Sequence, residues 1–352
     1  MDTLLFTAIN NWLFRPISSN NMGIQFVDAI GCALGSTLGN VRSENQDRAV
    51  FVRYLSNVPT QSFLLFALCD GMGGMREGRI CANIALVEMI HYLINNRVKT
   101  QKLQECLELA IKVANDKVFT QYHEQGGTTI SAVALDSTTI VGINVGDSRI
   151  YQYDNHSLNQ ISVDDTLEDR MKIKNEISKN LIQYIGMGKD LMPNILNLSL
   201  EKGLLLTSDG IHNIGNDHLK EIIKNASSAS DAVTKLIYLA GWLGGKDNAS
   251  LIFLPKEAIG FLQNLLNEVT TDGFIEIWDC FSSRQIVLLP HWSKTSRSSN
   301  RKLPKTAINA NAKEIGDRNL PRTSSKSREN WSTEKPKLDI EIGKNNDESR
   351  IS

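Results

Sequence analysis

Two amphipathic stripes follow one another with no strand between them, and that order most limits how the chain can fold. In the first, Ala82, Leu86, Met89, Ile90 and Leu93 share one helical face. In the second, Leu103, Leu107, Ala110, Ile111, Ala114 and Val118 do the same. Ahead of them stand three runs of strand character, 24–34 (IQFVDAIGCAL), 48–55 (RAVFVRYL) and 62–69 (SFLLFALC). They are rich in Val, Ile, Leu and Phe and bounded by Gly, Asn, Ser and Pro. Behind them come strand runs at 128–135, 138–145 and 149–153, a buried-type strand at 203–208, a helix at 228–243 and a last strand at 249–254. A doubly wound parallel sheet needs strand and helix in alternation, and this order does not supply it. The pattern predicts an α+β fold, a four-layer α-β-β-α sandwich of two antiparallel sheets flanked by helices.

The ends of the chain differ from this body. Residues 1–23 form an N-terminal extension, apolar at first but without a basic n-region or a small-residue cleavage site, so no signal peptide is expected. The body spans 24–255. A small accessory segment, 256–290, carries a short amphipathic helix through Ile259, Leu262 and Leu266 and two strand runs, 274–278 and 284–289, suited to a hairpin. From 291 to 352 the sequence is basic and Ser-rich without periodicity, and a disordered tail is expected there.

Charge follows the same division. From His291 onward there are 14 Lys+Arg against 8 Asp+Glu, a balance of +6, while the remainder, with 24 against 31, carries about −7. An acidic body argues against a nucleic-acid-binding domain and suits one that gathers carboxylates around cations. No apolar run approaches the roughly 18 residues a membrane helix requires. Five cysteines, none in C-x-x-C spacing, read as reduced buried thiols rather than disulfides or a zinc site. A soluble, cytoplasmic, monomeric protein is expected.

Five acids stand at strand ends beside small residues: Asp47 in VRSENQDR, Asp70 in CDGMGG, Asp147 in VGDSR, Asp209 in LTSDG and Asp247 in GGKDN. One such Asp is a turn former or a helix cap. Five together repel one another unless a cation neutralises them. Oxygen ligands without His or Cys clustering point to Mg²⁺ or Mn²⁺. Rival motifs fail on spacing: Arg76 stands where G-x-G-x-x-G needs its last glycine, and Asp247 follows Lys246 where a Walker loop needs Ser or Thr. His212 is a candidate proton donor, although a lone His is more often a surface or capped residue.

In order and spacing, VRSENQD, DGMGG, GDSR, TSDG and KDN resemble the metal-dependent serine/threonine protein phosphatases, the type 2C or PPM family, in its bacterial branch. The resemblance covers about 24–254. It implies a β-sandwich flanked by helices, with a two-metal site at one end of the sheets. It implies hydrolysis of phosphoserine and phosphothreonine by direct attack of a metal-activated water, with no phosphoenzyme. Asp70 would bridge two Mn²⁺ or Mg²⁺ ions and Gly71 would offer its carbonyl. Asp47, Asp209 and Asp247 would complete the site, and Asp147 matches a looser third metal. Arg42 matches the phosphate-binding arginine, its planar fork suited to phosphate oxygens. Gln46 and Asn248 would support the ligands from behind. The glycines around Asp70 would let metal, water and backbone pack without intervening side chains.

Three departures stand out. Gln46 replaces a common Glu. Met72 stands where many eukaryotic members carry a His that protonates the leaving group. Asn213 replaces an acid, which weakens a third metal. Residues 164–190 match the variable flap. Partners implied are phosphorylated proteins and a cognate Ser/Thr kinase. The alternative is a phosphatase-like scaffold module without catalysis, expected to lack one or more of the five acids.

Overall fold

The computed structural model describes residues 3–17, 22–72, 74–75, 77–97, 102–167, 180–266 and 273–288. The basic tail and the middle of the flap, 168–179, lie outside them. Thirteen strands occur among the described residues: β1 (Met22–Val27), β2 (Cys32–Thr37), β3 (Arg48–Leu55), β4 (Phe63–Cys69), β5 (Ile130–Leu135), β6 (Ile140–Val145), β7 (Arg149–Tyr153), β8 (Leu158–Gln160), β9 (Asn194–Asn197), β10 (Gly203–Thr207), β11 (Ala249–Leu254), β12 (Phe274–Asp279) and β13 (Ser283–Val287). The helices are α1 (Thr3–Leu13), α2 (Gly78–Asn96), α3 (Leu103–Tyr122), α4 (Asp209–His212), α5 (Asn216–Asn225), α6 (Ala229–Trp242) and α7 (Lys256–Leu266).

The strands form two sheets in the orders β1-β2-β11-β10-β7-β8 and β13-β12-β3-β4-β5-β6-β9, every pairing antiparallel. Strand alternation shows how the layers arise, because successive side chains point to opposite faces. In β4, Phe63, Leu65, Ala67 and Cys69 meet the core under α2 and α3, while Leu64, Phe66 and Leu68 meet the core between the sheets. In β11, Ile252 and Leu254 join that same inner core, and Leu251 and Phe253 pack with α6 on the far side. Central strands buried on both faces cannot alternate polar and apolar residues, which is why these runs are continuously hydrophobic. The predicted four-layer sandwich is the observed one.

Three segments differ from expectation. The run 24–34 is a hairpin, not one strand: β1 turns at Gly31, which has φ +72°, and returns as β2, with Val27 paired to Cys32. The N-terminal extension holds α1, whose Leu5, Ile9 and Leu13, spaced by fours, are buried in the core shared with α2. The expected boundary at 255 does not fall at a break in packing. Ala258, Ile259, Leu262 and Leu266 of α7 fill the core between the sheets, and β12 pairs along β3 from Phe274↔Leu55 to Asp279↔Val50. The predicted hairpin exists, and it extends the seven-stranded sheet. Among the described residues no helix is long and apolar enough to cross a membrane.

Candidate active site

Antiparallel pairing gathers the five acids at one end of both sheets. In the larger sheet Arg48 faces Cys69 and Ile130 faces Val145, so Asp47, Asp70 and Asp147 follow or precede neighbouring strand ends. In the smaller sheet Thr207 faces both Leu251 and Arg149, which sets Asp209 and Asp247 at that same end. Strands far apart in sequence thus deliver their turns to one place.

Asp70 is held by its main chain. Its N–H donates to Thr129 Oγ1 at 3.0 Å. Its carbonyl accepts from Thr129 N at 2.8 Å and from Thr128 Oγ1 at 2.8 Å. Thr129 Oγ1 in turn lies 2.7 Å from Ser148 Oγ, tying the Asp70 turn to the turn that carries Asp147. The Asp70 carboxylate is left to face the other acids. Thr128 also pairs with Ile185, so the end of the flap closes onto the same loop. The role of Thr128 and Thr129 was not read from sequence; two adjacent Thr directly before an apolar strand were the available signal.

Two of the glycines have a steric reason of their own in the fold. A Cβ on Gly71 would come within 2.5 Å of the Gly78 backbone and 2.9 Å of the Gln46 carbonyl. Gly71 is therefore small because the start of α2 crosses it, and Gly78 is small for the reciprocal reason. Gly74 faces open space.

The loop leading to β3 is fastened by Asn248. Its Nδ2 donates to Leu38 O at 2.9 Å and Glu44 O at 3.1 Å, and its Oδ1 accepts from Gln46 N at 2.8 Å. Gln46 enters through its main chain, while its side chain reaches Glu44 at 3.5 Å. Arg42 donates from Nη2 to Asp247 Oδ2 at 2.7 Å and remains 43% exposed, so its fork stands at the rim of the acids. Asp247 holds it further toward the charged form, with Asp209 and Asp70 adding to the effect.

Burial, with neighbouring carboxylates adding to it, raises Asp47, Asp70, Asp147 and Asp209 above the ordinary value near 3.8; at Asp147 those neighbours are Asp164 and Asp165. Asp47 is pushed up to about 6, Asp147 to about 6 and Asp209 to about 7, in each case chiefly by burial. Asp70 rises well above the ordinary value through burial and then Asp47, Asp209, Asp147 and Asp247. Asp47 Oδ1 and Asp209 Oδ1 are buried without a hydrogen-bond partner. Buried carboxylate oxygens are ordinarily paired, so these two fit a cation's oxygen ligands. Among the described residues no group of three or more His, Cys, Asp or Glu side chains stands in a geometry that would hold a metal ion, and Asp247 turns to Arg42.

His212 is elsewhere. It is buried behind β10, with Nδ1 3.2 Å from Thr207 Oγ1, and burial pushes its imidazole well below the usual value. Burial there favours its neutral form. All five cysteines are buried free thiols.

Acids whose folded values are raised hold protons that the unfolded chain gives up near pH 4. Their contribution is present below about pH 4 and lost as pH rises to about 7. In chelator, Tm should fall by a few °C between pH 5 and pH 7.5, each kcal/mol being worth about 2 °C or less in a chain longer than about 250 residues. Mn²⁺ at pH 7.5 should restore it. A chelated protein whose Tm is flat or climbs over this range would contradict the clustering of the acids.

The profile of the family described as Protein phosphatase 2C matches residues 40–243. The chain belongs to the protein phosphatase 2C family. This is the metal-dependent, PPM-type serine/threonine phosphatase family, here in its bacterial branch, and the chain is a phosphoric monoester hydrolase of that type. Protein phosphatase PhpP of Streptococcus pneumoniae is 25% identical over 237 residues, covering 62% of this chain and 94% of PhpP. Serine/threonine phosphatase stp of Listeria monocytogenes is 26% identical over 239 residues, 62% of this chain and 93% of its own. A bacterial serine phosphatase crystal structure shares the fold with TM-score 0.57 at 23% identity, over 64% of this chain and 97% of that one. The catalytic domain of the protein phosphatase PstP, solved with 2 manganese ions, has TM-score 0.51 at 25% identity, over 66% of this chain and 97% of its own. The family match takes in Arg42, Asp47, Asp70, Asp147 and Asp209 and ends before Asp247.

Proposed function

We propose that this phosphatase hydrolyses phosphoserine and phosphothreonine in proteins by direct attack of water, using two Mn²⁺ or Mg²⁺ ions. The observation that carries the reading is the gathering of Asp47, Asp147, Asp209 and Asp247 around Asp70, whose pKa all four raise, with Arg42 at the rim. Asp47, Asp70, Asp209, Asp247 and the Gly71 carbonyl are the proposed ligands. Asp147 is the proposed ligand of a weaker third ion. When bound, such cations supply Lewis acidity, which acidifies water and offsets phosphoryl charge. The chain's own residues do the rest. Arg42 binds the phosphate and orients it, releasing Asp247 as it does so. Asn248 and the Gln46 main chain keep the Arg42 loop in register with β11. The retention of all five acids and Arg42 supports catalysis over a scaffold role. Phosphoproteins made by a cognate Ser/Thr kinase are the proposed substrates, acted on in the cytoplasm by a monomer.

Arg42→Ala tests this reading. It should raise KM for an aryl phosphate and lower kcat/KM by about 10- to 100-fold, since a charge-assisted hydrogen bond is worth about 1.5–3 kcal/mol. Unchanged kinetics would remove Arg42 from the site.

A further inference from the structure

Behind the acids lies a closed ring of side-chain hydrogen bonds that the family motifs do not assign. Asp47 N donates to Asn45 Oδ1 at 3.1 Å, and Asn45 Nδ2 donates to Ser36 Oγ at 2.8 Å. Ser250 Oγ also donates to Ser36 Oγ, at 2.8 Å. Ser250 N donates to Ser208 Oγ at 2.9 Å, and Ser208 Oγ donates to Asp47 Oδ2 at 2.7 Å. The ring joins β2, the loop before β3, the end of β10 and the start of β11. Ser36, Ser208 and Ser250 are at most 2% exposed.

Ser208 has one hydroxyl proton. The Ser250 carbonyl is 3.5 Å away, and the Asp47 oxygen is far nearer. The Ser250 N–H already occupies one Ser208 lone pair, which fixes the direction in which the hydroxyl donates. Asp47 Oδ2 is therefore committed to Ser208, and Oδ1 is the buried oxygen left without a partner. A carboxylate held by one oxygen cannot rotate freely, so the orientation of the other is set in advance.

We propose that Ser208 is a positioning residue that clamps Asp47 through Oδ2 and so presents Oδ1 to a divalent cation. This rests on the two-cation reading above, which assigns Asp47 as a ligand. Because Ser208 directly precedes Asp209, the end of β10 both supplies one ligand and orients another. The clamp is built from the interior side, where neither substrate nor solvent reaches it.

The test is Mn²⁺ titration of the full-length, chelator-stripped protein by calorimetry, with metal-free Tm measured alongside. Ser208→Ala should weaken Mn²⁺ binding by about tenfold, the range seen when a ligand's outer partner is removed. The Mn²⁺ concentration for half-maximal aryl phosphatase activity should rise by a like factor, with kcat at saturating Mn²⁺ near wild type. Ser208→Cys retains a side chain with a weak donor and should fall between the two; it carries the test if Ser208→Ala does not fold. A lower metal-free Tm with unchanged Mn²⁺ affinity in the folded variant would make Ser208 a packing residue only and overturn the inference. Wild-type protein that binds no Mn²⁺ would overturn both this inference and the cation reading. Normal wild-type binding with an unaffected variant overturns this inference alone.

Discussion

Asp70→Asn should abolish most turnover while leaving the protein folded, with kcat reduced by about 10²-fold or more. Asp70 is the acid on which the charges of Asp47, Asp209, Asp147 and Asp247 all act. Its main chain, not its carboxylate, makes the bonds to Thr128 and Thr129 that hold the turn. Asn keeps those bonds and removes one charge from the ring. The chelated variant should therefore melt higher than chelated wild type, because like-charge repulsion is relieved. It should also lose most of the Tm gain that Mn²⁺ gives. Activity measured across a Mn²⁺ series, with Tm in the presence and absence of chelator, separates these effects. A folded variant with wild-type turnover would show that Asp70 does not belong to the reaction centre.

A chain ending at residue 255 should fail to fold, whereas one ending at residue 292 should keep both its Tm and its activity on an aryl phosphate. The shorter chain loses Ile259, Leu262 and Leu266 from the core between the sheets and Ile275 and Ile277 from the core under the helices. Each such side chain is worth about 1.5–3 kcal/mol on full burial. Their sum is comparable with the entire stability of a domain, about 5–15 kcal/mol. Loss of β12 also strips β3 of one hydrogen-bonded neighbour along its length, exposing an apolar edge prone to association. Thermal melts and size-exclusion profiles of the two truncations decide the matter. A cooperative, monomeric melt near wild-type Tm from the 255 chain would show that α7 and the last hairpin are dispensable.

The layers were legible where burial imposes a strong pattern. The runs at 48–55, 62–69 and 249–254 match β3, β4 and β11 closely, because a strand buried on both faces has no room for polar residues. The β1–β2 hairpin reads as one strand because Ala29 and the buried Ile30 carry the apolar run through its turn, although Asp28 and Gly31 flank them there. β8 and β9 are short and partly polar, so neither period shows in them. The acids were legible as a set because four of the five terminate or open an apolar run. Their supports were not: Thr128, Thr129, Ser148, Ser208 and Ser250 act through partners 19 to 214 residues away, and a hydroxyl residue gives no sequence sign of what it bonds. The reason for Gly71 likewise appears only when α2 is seen to cross it.

Phosphate release from a phosphoserine peptide, measured on chelator-stripped full-length protein, tests the central claim most directly. Release should be absent in excess chelator and return on addition of Mn²⁺ or Mg²⁺, with Asp70→Asn remaining inactive under both conditions. Undiminished release in excess chelator would contradict a cation-dependent reaction at the five acids.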